Sequence, residues 1–261
     1  MVPSVELEQV SHVYVSDQEA SLAIERIGLT VEQGEFVSLV GPSGCGKTTI
    51  LSIIAGLIVP AAGRVLIQGV PVTAPSTRVG YMLQQDYLFP WRTIEQNAVL
   101  GLELTGQLRS ETRAYTVNLL REMGLGHVLG KYPSQLSGGM RQRVALVRTL
   151  ATSPDILLLD EPFSALDYQT KLQLEDLIFE ALKARGKTAI LVTHDISEAI
   201  AVSDRIVVLN RNPGTVRREV AIPELIRSLL PFQAREQAGF HDIFKTIWHE
   251  FEQMEKEREA P

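Results

Sequence analysis

The stretch GPSGCGKTT at residues 41–49 decides the fold, because it places three glycines and a lysine directly after the apolar run FVSLV. The whole chain has 19 glycines in 261 residues, so the concentration is local rather than a habit of composition. The spacing G-x-x-x-x-G-K-T is typical of a loop whose backbone N–H groups surround the phosphates of a nucleotide. Its position between an apolar run and a plausible helix favours this interpretation over a chance match, so we predict nucleotide binding.

The composition narrows the class of protein. Lys and Arg number 25 and Asp and Glu 31, a net charge of −6 that offers no basic surplus for nucleic acid. One cysteine excludes an internal disulfide framework. The start MVPSVELEQV does not resemble a signal peptide, and the longest apolar region is interrupted by Ser52, Gly56 and Pro60. We therefore expect a soluble cytoplasmic protein that reaches a membrane only through a partner, with no nucleic-acid partner.

Three apolar runs predict a parallel sheet: EFVSLV at residues 35–40, DILLLD at 155–160 and TAILVTH at 188–194. Each is nearly continuous, as expected of strands covered on both faces. Each also precedes a polar or glycine-rich segment and then a plausible helix, the rhythm of an α/β fold.

The rest of the chain predicts two subdomains and a tail. The first 35 residues and residues 63–72 have alternating or turn-rich patterns, which indicate a small antiparallel sheet beside the main one. Leu, Arg and Glu at helical spacing indicate an α-helical insertion at about residues 95–150. We expect one domain over residues 1–222 and a helical tail over 223–261, interpreted as a packed helix with a frayed, charged end and no regulatory role.

The glycine-rich loop suggests specific contacts with a nucleotide. Lys47 is expected to reach the β- and γ-phosphates and the Thr48 hydroxyl to bind Mg²⁺, while the following helix N-terminus adds its dipole. Cys45 lies close to that helix N-terminus and to Lys47, both of which stabilise a thiolate. We therefore expect alkylation of Cys45 to block turnover and bound nucleotide to protect against it.

Candidate catalytic residues follow the predicted parallel strands. Ligands of such sheets bind beyond the carboxyl ends of the strands, where Gly41, Asp160 and His194 follow the three runs. Asp160 is expected to hold Mg²⁺, Glu161 to polarise a water for attack on the γ-phosphate, and His194 to contact that phosphate. Singly, a strand-end Asp is often a helix cap and a lone His is often structural. In this order and context, the catalytic interpretation is favoured.

A second glycine-rich segment, YPSQLSGGMRQRV, has Ser137, Gly138 and Gly139 before an amphipathic helix predicted to begin near Met140. Such a helix start binds anions. One nucleotide needs only one glycine-rich cradle, so the second one predicts a contribution to the site of a neighbouring copy. A simple turn with two glycines is the alternative.

The sequence LSGGMRQRV some 90 residues after the loop, followed by LLLDEPFSALD and THD, resembles the ATPase subunit of an ABC transporter. The resemblance covers residues 5–213 and implies the P-loop NTPase (RecA-like) fold. It implies a Walker A loop at residues 41–49, a signature at 136–140 and a D-loop at 164–167. Asp160 and Glu161 become the Walker B pair.

The resemblance also assigns individual roles. It implies that the nucleotide is bound by Tyr14, Gly41, Pro42, Ser43, Gly44, Cys45, Gly46, Lys47, Thr48, Thr49 and Asp167, and in trans by Ser137, Gly138 and Gly139. It assigns catalysis to Glu161, His194 and Gln84, and Mg²⁺ binding to Thr48, Gln84 and Asp160. Gln85 is the alternative to Gln84 as the Q-loop glutamine. A core aromatic is the alternative to adenine stacking for Tyr14.

The mechanism that the resemblance implies is a head-to-tail homodimer closing on two ATP molecules. Each ATP would lie between Lys47 of one chain and Ser137 of the other. Hydrolysis and loss of phosphate would reopen the dimer, because only the triphosphate makes all the contacts of the closed state.

Two functions are open to an ATPase of this kind. It is either a subunit that powers an importer through a separate permease, or a soluble ABC-type ATPase without a permease. The run LFPW at residues 88–91 favours the first. Importer subunits receive a helix of the permease there, and aromatic residues exposed at that place would anchor the interface; partial burial of these residues is an alternative. A small-molecule kinase would leave LSGGM without a use. Export is disfavoured, since exporters commonly fuse motor and membrane domains.

Within importers, LFPW, DEPFSALDYQT and THDISEA resemble the nitrate, sulfonate and taurine group, which includes uptake of bicarbonate and of pyrimidine precursors. This likeness concerns the ATPase subunit, which does not contact the solute, so it does not identify the solute. It implies permease subunits, indirectly a secreted solute-binding protein, and a peripheral position on the inner face of the plasma membrane.

Overall fold

The strands of the described residues form two β-sheets. The computed structural model of the protein describes residues 2–15, 20–164 and 166–259. Its strands are β1 (Val5–Val15), β2 (Ala20–Val31), β3 (Phe36–Val40), β4 (Ala62–Ile67), β5 (Val70–Pro71), β6 (Val79–Met82), β7 (Ile156–Asp160), β8 (Thr188–Thr193), β9 (Arg205–Leu209) and β10 (Val216–Ala221). One sheet is antiparallel with the order β2-β1-β4-β5. The other has the order β10-β9-β3-β8-β7-β6 and is parallel except for β10.

The three predicted strands are neighbours in the second sheet, where β8 lies between β3 and β7. Every residue of these strands is buried, and alternate residues join separate apolar clusters. In β7, Leu157 and Leu159 join one cluster, and Ile156 and Leu158 join the other. The predicted parallel core and antiparallel subdomain are confirmed. The sequence did not predict β6, β9 or β10 as strands of this sheet.

Helices surround the second sheet. They are α1 (Lys47–Ile54), α2 (Ile94–Ala98), α3 (Leu100–Leu104), α4 (Ser110–Glu122), α5 (Gly138–Ala151), α6 (Tyr168–Lys183), α7 (Ile196–Val202), α8 (Glu224–Arg227), α9 (Pro231–Ala234) and α10 (Phe240–Glu259). In the predicted helical insertion, α2, α3 and α4 pack on α5. Helix α5 begins at Gly138 rather than near Met140, because Ser137 accepts a hydrogen bond from the Met140 N–H and caps it. No helix of the described residues is both long and apolar enough to cross a bilayer.

The tail is bound to the main body along its length. Its helices contribute buried residues to the same apolar cluster as the parallel sheet, namely Ile226, Ala234, Phe240, Ile247 and Met254. Arg217 on β10 lies 2.8 Å from a carboxylate oxygen of Glu250 and 2.8 Å from one of Glu257. The charged end that was expected to fray therefore continues as helix to Glu259, the last residue that the structure describes.

The connection between β9 and β10 packs directly on the phosphate loop. The Gly214 N–H donates to the carbonyl oxygen of Ala23 (3.0 Å), and the Glu25 N–H donates to that of Gly214 (2.9 Å). A Cβ atom on Gly214 would overlap the carbonyl oxygen of Cys45. Only a glycine at position 214 therefore lets this connection pack against the phosphate loop.

Replacing Gly214 by alanine should therefore lower the free energy of unfolding by about 1–3 kcal/mol, because the added methyl has to displace backbone. The matched control is Gly130→Ala, since a Cβ atom there meets nothing within 4 Å. Urea denaturation of both variants measures the difference. Equal losses in the two variants would contradict the close packing.

Candidate functional site

The phosphate loop connects β3 to α1 through glycines in left-handed backbone conformations. Gly44 has a φ angle of 80° and Gly46 one of 85°, which favours glycine at both positions. A Cβ atom on Gly46 would also overlap the side chain of Ile24 in β2. The first N–H groups of α1 have no carbonyl partner within the helix, so the loop ends at a helix start suited to an anion.

Lys47 brings a positive charge into this loop. Its side chain is buried, and its ammonium donates hydrogen bonds to the carbonyl oxygens of Gly41 (2.8 Å) and Pro42 (3.1 Å). These bonds hold Nζ against the loop, where it is close to any phosphate bound there.

Asp160 ends β7 beside the first turn of α1. The Thr48 hydroxyl donates to its Oδ1 (3.3 Å) and the Tyr81 hydroxyl to its Oδ2 (3.3 Å). Burial raises the pKa of Asp160, although these two hydrogen bonds oppose the shift. Burial also raises the pKa of Tyr81, so that residue stays a proton donor at neutral pH. The hydroxyl and carboxylate oxygens of Thr48 and Asp160 are of the kind that Mg²⁺ prefers, so the predicted metal ligands fit this ion.

Glu161 meets both other predicted catalytic residues. Its Oε2 accepts a hydrogen bond from Gln84 Nε2 (3.1 Å) and lies 3.3 Å from His194 Nδ1. The backbone of Glu161 has a φ angle of 46°, a costly conformation for a residue with a side chain. The side chain that reaches Glu161 is that of Gln84, which favours Gln84 over Gln85 in the predicted role.

A cleft of about 580 Å³ opens beside the loop. It is lined by the loop, Glu161, His194 and Tyr14, and also by residues 21–23 and Asn212. The Tyr14 hydroxyl lies 3.2 Å from Thr49 Oγ1, and its ring is 46% exposed. Tyr14 therefore presents a ring to the cleft, as adenine stacking requires. The sequence reading missed residues 21–23, Asn212 and Tyr81, since long-range contacts bring them here.

The signature lies away from this cleft. Ser137 is exposed at the start of α5 and is not among the described residues that line the cleft. Gly139 packs against Thr170 of α6 so closely that a Cβ atom would overlap it. Asp167 caps α6 by accepting a hydrogen bond from the Thr170 N–H (3.0 Å). Of the predicted D-loop, Ala165 lies outside the described residues.

Helix α5 hydrogen-bonds to the backbone of the loop that holds Gln84. The sequence did not predict this contact. Gln142 Nε2 donates to the carbonyl oxygen of Gln84 (2.9 Å), and Arg148 Nη2 donates to that of Asp86 (2.6 Å). Arg141 Nε lies 2.9 Å from the Asp86 carboxylate. One helix therefore connects the signature at its tip to the loop that holds Gln84.

The LFPW run forms an exposed aromatic surface on a fixed base. Trp91 is 71% exposed, and its ring lies 5.1 Å from that of Phe89. Asn97, which is fully buried, accepts from the Phe89 N–H (2.7 Å), and the two N–H donors of its amide are shared among the carbonyl oxygens of Phe89, Arg92 and Thr93. Asn97 thus fixes the loop, whereas Leu88 is buried beneath it.

The expectation of a reactive Cys45 is wrong. Its side chain is fully buried, and burial raises its pKa despite the nearby Lys47 ammonium, whose Nζ lies 3.5 Å from Sγ. The thiol is therefore protonated and shielded from reagents at neutral pH. The sequence showed the helix start and the lysine but not the packing that covers the sulfur.

A largely buried charge cluster includes Asp195, the residue that follows His194 in the chain. Lys171 of α6 contacts Asp195 (2.7 Å) and Glu198 (2.9 Å), and Arg235 lies 2.6 Å from Glu175. Asp195 also caps α7, through the N–H groups of Ser197 and Glu198. Burial raises the pKa of Glu198 to about 7, an effect that Lys171 only partly offsets. The cluster ties the residue after His194 to α6, which begins just after the predicted D-loop.

The shifted Glu198 predicts a pH-dependent stability. Between pH 4.5 and about pH 7, the folded chain holds a proton that the unfolded chain releases, so this residue's contribution to stability falls as pH rises through that window. Glu198→Gln should therefore flatten the decline in unfolding free energy, measured by urea denaturation across the window. The exposed Glu224 supplies the control Glu224→Gln. A decline as steep in Glu198→Gln as in the wild type would refute the assignment.

Comparison with known proteins agrees with this geometry. A family model described as ABC transporter matches residues 24–164. The uncharacterized ABC transporter ATP-binding protein YtlC of Bacillus subtilis is 54% identical over 97% of this chain and 97% of its own. The aliphatic sulfonates import ATP-binding protein SsuB of Bacillus cereus is 37% identical over 95% of this chain and 96% of its own.

A solved structure extends the likeness to the fold. The dimeric post-hydrolysis structure of the ATP-binding cassette MJ0796, bound to ADP and Pi, matches with a TM-score of 0.75 and 34% identity. The match covers 84% of this chain and 99% of that one, and the predicted P-loop NTPase fold is confirmed. Since the family model also spans more than half of the chain, this protein belongs to the ABC transporter ATP-binding proteins and is an ATP-hydrolysing cassette.

Proposed function

We propose that the chain energises solute uptake as one of two identical ATPase subunits on a separate membrane permease. The observation that supports this most is the presence of two half-sites in one chain. Glu161, Gln84 and His194 meet beside the phosphate loop, whereas Ser137 lies at an exposed helix tip elsewhere. A second copy in head-to-tail orientation brings its own Ser137 to complete the first chain's site.

Nucleotide binding uses the preformed half-site. The loop N–H groups and Lys47 bind the phosphates of ATP, and the ring of Tyr14 stacks on adenine. Thr48, Asp160 and Gln84 would hold Mg²⁺, which when bound neutralises charge on the β- and γ-phosphates.

Hydrolysis depends on the group around Glu161. Its carboxylate orients a water molecule for in-line attack on the γ-phosphorus and accepts the proton that this water loses. The hydrogen bond from Gln84 and the contact with His194 fix the direction in which that carboxylate points. In the closed dimer the γ-phosphate contacts both His194 and the partner's Ser137. Its loss removes this connection between the two chains, so the dimer opens.

The Glu161→Gln variant tests this assignment. An amide cannot accept the proton, but it keeps the size of the side chain and leaves the phosphate loop unchanged. We expect ATP binding to persist, turnover to fall by roughly a hundredfold or more, and a dimer to accumulate with ATP and Mg²⁺. Phosphate release measures the loss of turnover, and light scattering with ATP and Mg²⁺ measures the dimer, whose accumulation also reports that ATP still binds. Wild-type turnover in the variant would remove Glu161 from its role.

The permease is proposed to dock on the aromatic surface formed by Phe89 and Trp91. Large exposed aromatic side chains on a rigid base are typical anchors of protein interfaces, and Asn97 supplies that base. The relative SsuB is named for import of aliphatic sulfonates, and we propose a solute of the nitrate, sulfonate or taurine type, or a pyrimidine precursor. A secreted solute-binding protein would deliver that solute, and the ATPase would lie on the inner face of the plasma membrane.

Truncation of Trp91 tests the docking surface. Trp91→Ala should abolish co-purification with a polytopic membrane protein, because it removes the most exposed ring of the surface. Leu225→Ala, at another exposed apolar residue, is the matched control and should leave the association intact. If the wild-type chain itself captures no such protein, the permease-free ATPase becomes the better account.

A further inference from the structure

Helix α10 forms a groove with the tip of the phosphate loop. The groove has a volume of about 330 Å³ and lies between residues 41–43 and His194 on one side and Trp248, Phe251 and Met254 on the other. Ser43 and His194 line both this groove and the nucleotide cleft. The groove that the tail forms therefore adjoins the nucleotide cleft.

The groove wall is joined to β10 by ion pairs and is apolar at its centre. Arg217 fixes α10 through Glu250 and Glu257. The rings of Phe244 and Trp248 stack with 6.1 Å between their centroids, and Trp248 is 50% exposed. The rim carries two cations and two anions, Arg211, Arg258, Glu252 and Glu255, so net charge does not select the occupant.

An exposed aromatic side chain lies on the element that packs against the signature. Tyr168 is the first residue of α6 and is 73% exposed. Gly139 of the signature packs directly on Thr170, one half-turn further along α6. Because of this contact, the first turn of α6 accompanies the signature wherever that segment docks.

We propose that the groove receives the first turn of α6 from a second copy of the chain, with Tyr168 against Trp248. This inference rests on the head-to-tail dimer of the proposed function, in which the partner's signature covers the nucleotide cleft. The groove adjoins that cleft through Ser43 and His194, so the segment beside the partner's signature comes to it. The tail then adds an aromatic contact to each end of the closed dimer.

Cross-linking between two differently labelled chains tests the contact. One chain carries Tyr168→Cys and the other Trp248→Cys, both with Glu161→Gln, and they are mixed with ATP, Mg²⁺ and a short bis-maleimide. Both positions are exposed, so neither change threatens the fold, and the buried Cys45 contributes no reaction. We expect a cross-linked heterodimer only with ATP, and none when Leu225→Cys replaces Trp248→Cys.

Light scattering on the same samples separates the two ideas. A dimer that forms with ATP but does not cross-link overturns the groove contact and leaves the proposed function intact. A chain that stays monomeric with ATP, alone and with its permease, overturns both. As a second measure, Trp248→Ala should weaken ATP-driven dimerisation by roughly tenfold, the scale for a buried aromatic anchor. An unchanged dimerisation constant would contradict the proposal.

Discussion

The parallel pairing of β3, β8 and β7 is the constraint on which the site depends. Val40 pairs with Thr193, and Asp160 pairs with Val192. With this register, the phosphate loop, the Walker B carboxylates and His194 emerge at one edge of the sheet, although they come from distant parts of the sequence. Since all three strands are buried on both faces, the edge is rigid. Parts that must meet within hydrogen-bond distance are thus held by the most stable region of the fold.

Helix α5 connects three parts of the molecule: the signature, the loop that holds Gln84 and the loop that leads to the aromatic surface. Its first turn carries the signature, its middle binds the backbone of Gln84, and Arg148 binds the loop that leads to LFPW. A displacement of the aromatic surface by a permease would therefore reach Gln84 and the signature through hydrogen bonds to one helix. Asn97 keeps this path rigid, because its side chain hydrogen-bonds to both the N–H and the carbonyl oxygen of Phe89 and also contacts the carbonyl oxygens of Arg92 and Thr93.

The sequence predicted the site residues that directly follow a strand, and it missed the properties and contacts that depend on tertiary packing. The phosphate loop, the two carboxylates and His194 follow apolar runs directly, so their convergence needed only the rule for parallel strands. Tyr81 reaches Asp160 through the pairing of β6 with β7, and Asn212 reaches the cleft from the connection between β9 and β10. No short motif encodes either placement. Cys45 shows the limit most clearly. Its neighbours in sequence predicted a reactive thiolate, whereas burial in an apolar cluster makes it an inert part of the core.

The division between buried and exposed site residues gives a physical reason for the proposed head-to-tail dimer. Lys47 and Asp160 are almost entirely buried, so the binding half of the site is complete within one chain. The Glu161 side chain is 23% exposed and that of His194 65% exposed, so water screens the charges that must act on the γ-phosphate. Electrostatic catalysis is strong only where water is excluded. In the proposed dimer the partner's Ser137 helix supplies that exclusion, which makes hydrolysis a consequence of closure and restricts ATP consumption to the assembled pair.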